Sequence, residues 1–467
     1  MVSLSLPRLR STRNALLLSD LCAVFAGPVA ACALRGASGG DLPPELYLNS
    51  TPVLLLFIPL YATLGLYPGI MRSPEEELKL LSLGTSIGFL FLGFLLFIGR
   101  QGELFSRSVV LMAWLATLAS VPLFRCLTRN LCAHATWWGY PVLLFAPEGE
   151  GGAEERAFRS ALCSGLYITA RVPLSADGKL RTPAGTTEDR YLDELERACS
   201  DAIVCILLDP LSGDAVRELV LKLGKRFRRI VVKPDTFWLK QTSLHAADFP
   251  CGPVLAMRQN LLDPARMRLK RLLDLLVCLP AGAVLLALLP AAALVIRLDS
   301  RGSVFFTQKR LGRNGNAFTL FKFRTMVADA PQVLRETLAG DEKLRRQWDE
   351  DQKLADDPRL TGVGRILRRT GLDELPQILN VVMGDMSLVG PRPIVVEEIR
   401  RYGDAYTLYK RVRPGITGLW QVSGRNDLSY AERVELDQRY VYNWSVWLDI
   451  YIIIRTVPAL ISGKGAY

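Results

Sequence analysis

Residues 272–296 read LLDLLVCLPAGAVLLALLPAAALVI, an apolar run of about 25 residues containing Pro280 and Pro290. A helix needs roughly 20 apolar residues to cross the hydrocarbon core, so this run is long enough to span. Whether it crosses or turns back decides where everything after it folds. Lys270 and Arg271 stand before it and Arg297 after it, so both ends can anchor in the same headgroup layer. A proline in mid-run removes a backbone hydrogen bond and kinks the helix. The sequence therefore predicts a re-entrant hairpin over 272–296, broken at Pro290, with an ordinary fifth span as the alternative.

Upstream, the 467-residue chain is 50% hydrophobic with a net charge of +11. Four apolar runs fill its first quarter, at about Leu16–Leu34, Pro52–Leu66, Leu80–Ile98 and Val109–Leu123. Arg8, Arg10 and Arg13 precede the first run, Arg72 and Lys79 lie between the second and third, and Arg125 and Arg129 follow the fourth. The loop 36–50 carries no Lys or Arg, although the loop after the third run carries Arg100 and Arg107. This bias predicts a four-span unit, 1–133, with both ends in the cytoplasm, and puts the chain from about His134 onward in the cytosol.

The nine cysteines form no Cys-x-x-Cys pair, and the only histidines are His134 and His245. Zinc spacing and histidine-based catalysis are thereby disfavoured. The basic balance suits anionic lipid and phosphate-bearing substrates, and no recognition motif points to nucleic acid. Strand-like runs at Tyr140–Ala146, Ala202–Leu208 and Ile230–Val232 alternate with helical patterns. They predict a Rossmann-like α/β domain with a parallel sheet, 134–260. The turn Pro147-Glu148-Gly149-Glu150-Gly151-Gly152 sits where a nucleotide loop would be, but two glutamates would repel phosphate and the fingerprint spacing is absent.

Downstream, Leu367-Arg368-Arg369-Thr370-Gly371-Leu372-Asp373-Glu374-Leu375-Pro376-Gln377 sets two adjacent carboxylates just after arginines. An Asp-Glu pair at a helix start is commonly a cap that complements the dipole. Here arginines precede it and Pro391-Arg392-Pro393 follows, the combination that phosphoryl transfer on an anionic substrate requires. Arg368 and Arg392 read as phosphate clamps, Arg392 held in a fixed frame by its flanking prolines. Lys322, between Phe321 and Phe323, reads as an inward lysine on a strand. Arg425, after Ser423-Gly424, is a candidate for a donor phosphate or for a structural pair. Asp449 is a candidate site residue or a helix cap. The apolar pattern at Ile450–Leu460 reads as a helix in the membrane interface.

In order along the chain come Asp299-Ser300-Arg301-Gly302, Gln308-Lys309-Arg310-Leu311-Gly312, Phe321-Lys322-Phe323-Arg324-Thr325-Met326 and Asp357-Pro358-Arg359. The Asp373-Glu374 element, Gly384-Asp385-Met386-Ser387-Leu388-Val389-Gly390-Pro391-Arg392-Pro393 and Arg413-Pro414-Gly415-Ile416-Thr417-Gly418-Leu419-Trp420-Gln421-Val422-Ser423-Gly424-Arg425-Asn426 follow. From about Lys270 to Tyr467 the chain resembles the bacterial sugar transferases, the monotopic polyprenyl-phosphate phosphoglycosyl transferases. The resemblance implies a catalytic domain over 261–467 in which Asp373 is the nucleophile, attacking the sugar-bearing phosphate of a UDP-sugar. UMP leaves, and undecaprenyl phosphate then takes the phosphosugar from Asp373. It implies Mg²⁺, with Asp373 and Glu374 as its protein ligands and Glu374 alternatively a base. It further implies phosphate-binding roles for Lys322, Arg368, Arg392 and Arg425. A cytosolic nucleotide sugar also favours the hairpin over a fifth span.

The expected architecture is thus α/β with membrane helices: a four-helix transmembrane unit, a Rossmann-like cytosolic domain, and a phosphoglycosyl transferase domain with a re-entrant hairpin, all in or on the bacterial inner membrane. The expected partners are a UDP-sugar, undecaprenyl phosphate, membrane lipid and a second copy in a homodimer. Galactose-1-phosphate is the expected transferred group, in the first membrane step of O-antigen, capsule or exopolysaccharide synthesis. The alternatives are UDP-glucose or a UDP-N-acetylhexosamine as donor, or a non-catalytic membrane scaffold for glycan assembly.

Overall fold

The structure, a computed structural model, describes residues 7–38, 52–67, 69, 72–98, 106–135, 137–147, 152, 155–156, 165–175, 178–182, 186–199, 202–207, 213–227, 229–233, 244–249, 252–257, 260–340, 342, 345, 357–424 and 428–461. The chain divides into two compact units, Met1–Thr236 and Phe237–Tyr467.

In the first unit, the N-terminal region carries four apolar helices: α1 (Pro7–Ala37), α2 (Phe57–Thr63), α3 (Pro74–Ile98) and α4 (Arg107–Cys132). Apolar composition and length make α1, α3 and α4 candidate spans, whereas the described part of the second apolar helical stretch is short, Pro52–Thr63. Helices α1 and α4 pack closely because small residues let their backbones meet; a Cβ at Gly27 would lie 2.2 Å from Thr117 Oγ1. The polar end of the bundle is tied by Arg125, buried on α4. Its Nε donates to Asp20 of α1 at 2.7 Å, and its Nη1 donates to Glu77 of α3 at 2.6 Å. Tyr67 donates to the same Asp20 at 2.5 Å, and Arg129 to Glu77 at 2.8 Å. A charge this deep is tolerated only when paired and hydrogen-bonded, and here every charge is.

The remainder of this unit is a parallel sheet in the order β2-β1-β3-β4, formed by β1 (Tyr140–Pro147), β2 (Leu166–Leu174), β3 (Ile203–Leu207) and β4 (Arg229–Lys233). All of β1 is buried, as an apolar central strand of a parallel sheet must be. Leu143 and Phe145 face the core shared with α5 (Glu188–Cys199) and α6 (Gly213–Gly224), while Val142 and Leu144 fill the opposite face. Of the glycine-rich turn over 147–152, residues 148–151 lie outside the described residues.

The second unit begins with an antiparallel pair, β5 (Leu244–Phe249) and β6 (Gly252–Met257). It is followed by α7, a 36-residue helix, Pro264–Asp299, that holds both Pro280 and Pro290 inside its bounds. Both ends of α7 are tied to the same unit. Near its start, Arg271 donates to the carbonyls of Val381 and Val382 at 2.6 and 3.0 Å. Asp274 accepts from Ser387 Oγ at 2.8 Å and from Leu388 N–H at 3.1 Å. At its end, Asp299 accepts from Val363 N–H at 2.9 Å, and the carbonyl of Ser300 accepts from Arg324 at 2.5 Å. Between these ties α7 turns large apolar residues outward, among them Leu276, Leu279, Val284, Leu286, Leu288 and Leu294.

Strands β7 (Phe305–Leu311) and β8 (Ala317–Phe323) form an antiparallel hairpin. Its turn passes through Asn314 and Gly315, both at positive φ, the backbone that Asn-Gly adopts most readily. Helix α8 (Ala330–Gly340) follows, then α9 (Gly362–Thr370), α10 (Gln377–Met383), β9 (Ser387–Val389), β10 (Gly415–Thr417), α11 (Leu419–Ser423), α12 (Tyr430–Asn443) and α13 (Val446–Ile461). Strands β9 and β10 pair in parallel. The core joins α7 to the hairpin and α10 through Cys278, Leu285, Ile296, Phe318, Leu320, Ile378 and Val381.

Candidate active site

The dyad sits on a single 3₁₀ turn, Leu372–Glu374, between α9 and α10. Thr361 caps the start of α9 by accepting from Gly364 N–H at 3.0 Å, and Gly371 ends it at φ 70°. Gly364 is required by contact, since a Cβ there would lie 2.0 Å from the Thr325 carbonyl. This close approach presses α9 against the residues just after β8 and brings Arg368 over Thr325. Arg368 Nε donates to Thr325 Oγ1 at 3.0 Å. Burial holds this guanidinium below its usual range, opposed by the Asp373 and Asp357 charges.

Lys322 reaches the dyad from β8. Its Nζ donates to Glu374 Oε1 at 2.5 Å and stands 3.8 Å from Asp373 Oδ2. A buried asparagine sets this reach. Asn380, fully buried on α10, donates to the Thr319 carbonyl at 2.7 Å and accepts from Phe321 N–H at 3.1 Å. The side chain thus serves β8 as a neighbouring strand would and fixes Lys322 relative to the dyad. Asp373 is itself buried, and burial pushes its carboxyl above the ordinary range; Lys322 opposes this, Glu374 adds to it and Arg368 opposes it. Lys322, Arg368, Asp373 and Glu374 are therefore brought together.

Arg392 lies in the Pro391–Pro393 turn, outside the hydrogen-bond set of the dyad. Its guanidinium stands 5.7 Å from the centroid of the Trp420 ring, and that of Arg433 stands 5.2 Å from the same ring. The antiparallel bridge Leu311–Ile394 carries Arg310 of β7 to the Pro391–Pro393 turn, where Arg310 donates to the Pro393 carbonyl at 3.2 Å. Burial and then the Arg392 charge hold Arg310 below the usual guanidinium range, opposed in part by Glu398 and Glu374. Sequence reading gave Arg310 no role; the available signal was its place at the end of the alternating strand before Gly312. Thr325 and Asn380 carry no local signal either, because each acts through a partner distant in sequence.

Arg425 lies outside the described residues. Asp449 is in the first turn of α13, away from the dyad's hydrogen-bond set. It is buried, accepting from Lys270 Nζ at 2.7 Å, Tyr440 at 2.8 Å and Trp444 Nε1 at 3.0 Å, and so ties α7, α12 and α13 together. Pro290, the expected break, lies inside α7, whose helix runs continuously from Pro264 to Asp299, because one proline removes a single backbone hydrogen bond and leaves the turns on either side of it intact.

No group of three or more His, Cys, Asp or Glu side chains suited to a metal exists among the described residues. Mg²⁺ commonly takes one or two carboxylates and completes its shell with water and substrate phosphate, so the oxygen-only pair Asp373 and Glu374 fits it.

Residues 265–463 match the family profile described as Bacterial sugar transferase. The chain is 35% identical to undecaprenyl-phosphate galactose phosphotransferase of Salmonella typhimurium, over 78% of this chain and 77% of that one. It is 30% identical to UDP-glucose:undecaprenyl-phosphate glucose-1-phosphate transferase of Escherichia coli K12, over 96% and 95%. A shorter relative, exopolysaccharide production protein ExoY of Sinorhizobium fredii, is 46% identical over 42% of this chain and 88% of its own. The profile match and these relatives agree: the chain belongs to the bacterial sugar transferase family.

Proposed function

We propose that this protein transfers a hexose-1-phosphate, galactose-1-phosphate in the leading reading, from a UDP-sugar to undecaprenyl phosphate, opening the assembly of a surface glycan. The observation that carries this is the buried Asp373 held 3.8 Å from Lys322, with Arg368 beside it, on the turn the family motif supplies. An Asp373 carboxylate oxygen attacks the sugar-bearing phosphorus, and the bond from that phosphorus to the oxygen of the UMP portion breaks. An oxygen of undecaprenyl phosphate then attacks the same phosphorus. The aspartyl bond breaks, freeing the carboxylate and yielding undecaprenyl-diphospho-sugar. Lys322 and Arg368 hold the phosphate oxygens during both displacements. Asp373 and Glu374 would hold Mg²⁺, which when bound offsets diphosphate charge. In two steps, a water-soluble donor and a lipid acceptor use one site in turn.

The same reading makes α7 a re-entrant element, with the small α/β domain and the catalytic unit cytoplasmic. Support comes from Arg271 and Asp274 at one end and Asp299 at the other, all bonded to one polar unit. A straight crossing would put those ends on opposite sides of about 30 Å of hydrocarbon. Cysteine reporters near Asp263 and Ser300, on a cysteine-free background, should resist an impermeant thiol reagent in intact cells. Labelling at Ser300 alone would show a true span.

A glucose donor is the second reading, favoured by the E. coli relative, whose match covers nearly the whole chain. A panel of radiolabelled UDP-sugars with undecaprenyl phosphate tests both the activity and the sugar. Asp373→Asn should abolish UMP release and lipid product together; wild-type UMP release from that variant would show that Asp373 is not the nucleophile.

A further inference from the structure

The Pro391–Pro393 turn is held by backbone at its entry and by a side chain at its exit. At the entry, the Pro391 carbonyl accepts from Gly415 N–H at 2.8 Å, and Gly390 N–H donates to the Thr417 carbonyl at 2.9 Å. A Cβ at Gly415 would lie 2.1 Å from Gly390 N, so only glycine lets the two segments meet there. At the exit, Ile394 meets Leu311 of β7 in an antiparallel bridge, and Leu311 N–H donates to the Ile394 carbonyl at 2.9 Å. Two residues bonded across such a pair ordinarily exchange a second, direct bond. Here the second bond runs through a side chain. The Tyr409 hydroxyl accepts from Ile394 N–H at 3.3 Å and donates to the Leu311 carbonyl at 2.8 Å. Tyr409 is buried, with its ring stacked on Tyr406 at 6.0 Å and edge-on to Tyr402 at 5.3 Å. Tyr402 is anchored in turn by its hydroxyl, which donates to buried Asp437 at 2.7 Å. The Tyr409 hydroxyl is thus a wedge of fixed size and direction between Leu311 and Ile394.

We propose that Tyr409 is a positioning residue for Arg392: its hydroxyl sets where the chain leaves the turn, and so where the Arg392 guanidinium stands over Trp420. Only Pro393 separates Arg392 from Ile394, and its fixed φ leaves little slack to absorb a shift. Pro391, Pro393 and Ile394 are buried, whereas Arg392 is half-buried. Without the hydroxyl, Ile394 N–H and the Leu311 carbonyl face each other unpaired. They close to a direct bond, and Pro393 and Arg392 move with them. The inference rests on the reaction proposed above in one respect: Arg392 touches a substrate phosphate, as the family resemblance implies. Paired hydrogen bonds from a guanidinium to phosphate demand fixed geometry, and a misplacement near 1 Å can cost about a hundredfold in rate.

Tyr409→Phe keeps the ring and removes only the hydroxyl, and a double-mutant cycle with Arg392→Met tests the proposal on the full chain in lipid nanodiscs. The first readout is fluorine NMR of chain labelled with fluorotryptophan, the Trp420 signal being the one lost in Trp420→Phe. Arg392→Met removes the cation that stands 5.7 Å from that ring and marks the resulting shift. Tyr409→Phe should also shift the Trp420 signal, and should shift it no further once Arg392 is Met. A signal that stays at its wild-type position overturns the proposal, and so does a shift that persists in the Arg392→Met background. Should Tyr409→Phe not fold, Tyr409→p-aminophenylalanine, which keeps a donor for the Leu311 carbonyl, is read in its place by the same signal. The second readout is kcat/KM for the UDP-sugar that the wild-type chain uses best. Tyr409→Phe should lower it at least fivefold, and less than twofold when added to Arg392→Met. A smaller first loss or a larger second one overturns the proposal, because the hydroxyl would then serve the fold and not the arginine. The fluorine signal needs no turnover, so a wild-type chain that transfers nothing removes the reaction and still leaves the placement of Arg392 decided.

Discussion

Replacing Asn380 with leucine keeps the side-chain volume and removes both of its hydrogen bonds, to the Thr319 carbonyl and from the Phe321 N–H. Asn380 is fully buried, so both backbone groups of β8 lose their partner where water cannot replace it. An orphaned buried polar group costs about 1–3 kcal/mol, giving about 2–6 kcal/mol for the pair. In a unit of this size 1 kcal/mol moves the melting temperature by roughly 2–4 °C, so a fall of roughly 5–20 °C is expected. Asn380→Asp keeps an acceptor for Phe321 and sets a second acceptor against the Thr319 carbonyl, and should be no better. Lys322 follows Phe321 directly, so any shift of β8 moves the ammonium from Glu374, and a displacement near 1 Å can cost about a hundredfold in rate. Differential scanning fluorimetry in detergent gives the first quantity. Initial transfer rates at a temperature where all variants are folded give the second. A leucine variant that melts within 2 °C of wild type and transfers at the wild-type rate would show that Asn380 merely fills space.

Arg125→Leu should strip compact protein from detergent extracts on mild heating, because it leaves Asp20 buried and unpaired at a cost of about 3–5 kcal/mol. The double variant Asp20→Leu/Arg125→Leu should recover much of that loss by fluorescence-detected size exclusion, and failure to recover would mean that the ion pair is not what matters. Burial pushes the Asp437 carboxyl up to about 7, with the Tyr402 hydroxyl and then the Arg392 charge opposing. The folded chain therefore binds this proton more tightly than the unfolded one, and the group's contribution to stability falls as pH rises from about 4 to about 7. Asp437→Asn should gain in melting temperature relative to wild type across that window, and a difference that does not change with pH would refute the assignment. Exhaustive chelation should stop UMP release and added Mg²⁺ restore it; full activity without any divalent ion would remove the metal from the reaction.

What could be read in advance divides by the distance over which a residue acts. The Asp373 turn was legible because Asp373 stands within five residues of Arg368 and Arg369, with Glu374 beside it, in the same short stretch. Strand β1 was legible because every residue in it is apolar, as a parallel strand buried on both faces requires. Lys322 was legible as an inward lysine, but the asparagine that aims it lies 59 residues beyond Phe321. Arg310 acquires meaning only when Ile394 meets Leu311, an approach that no local pattern encodes. Asp449 reads locally as a cap or a site residue, while its partner Lys270 stands 179 residues earlier.

That last separation has a consequence in time. At about 5–20 residues per second, the ribosome needs roughly 10–35 s after making Lys270 before Asp449 exists to receive it. On the re-entrant reading proposed above, the apolar run after Lys270 reaches the bilayer within that interval, before Asp449 is made. Anionic headgroups should then serve as counterions of Lys270 until α13 is made. Membranes poor in acidic lipid should therefore slow maturation of the newly made chain more than they disturb the finished enzyme.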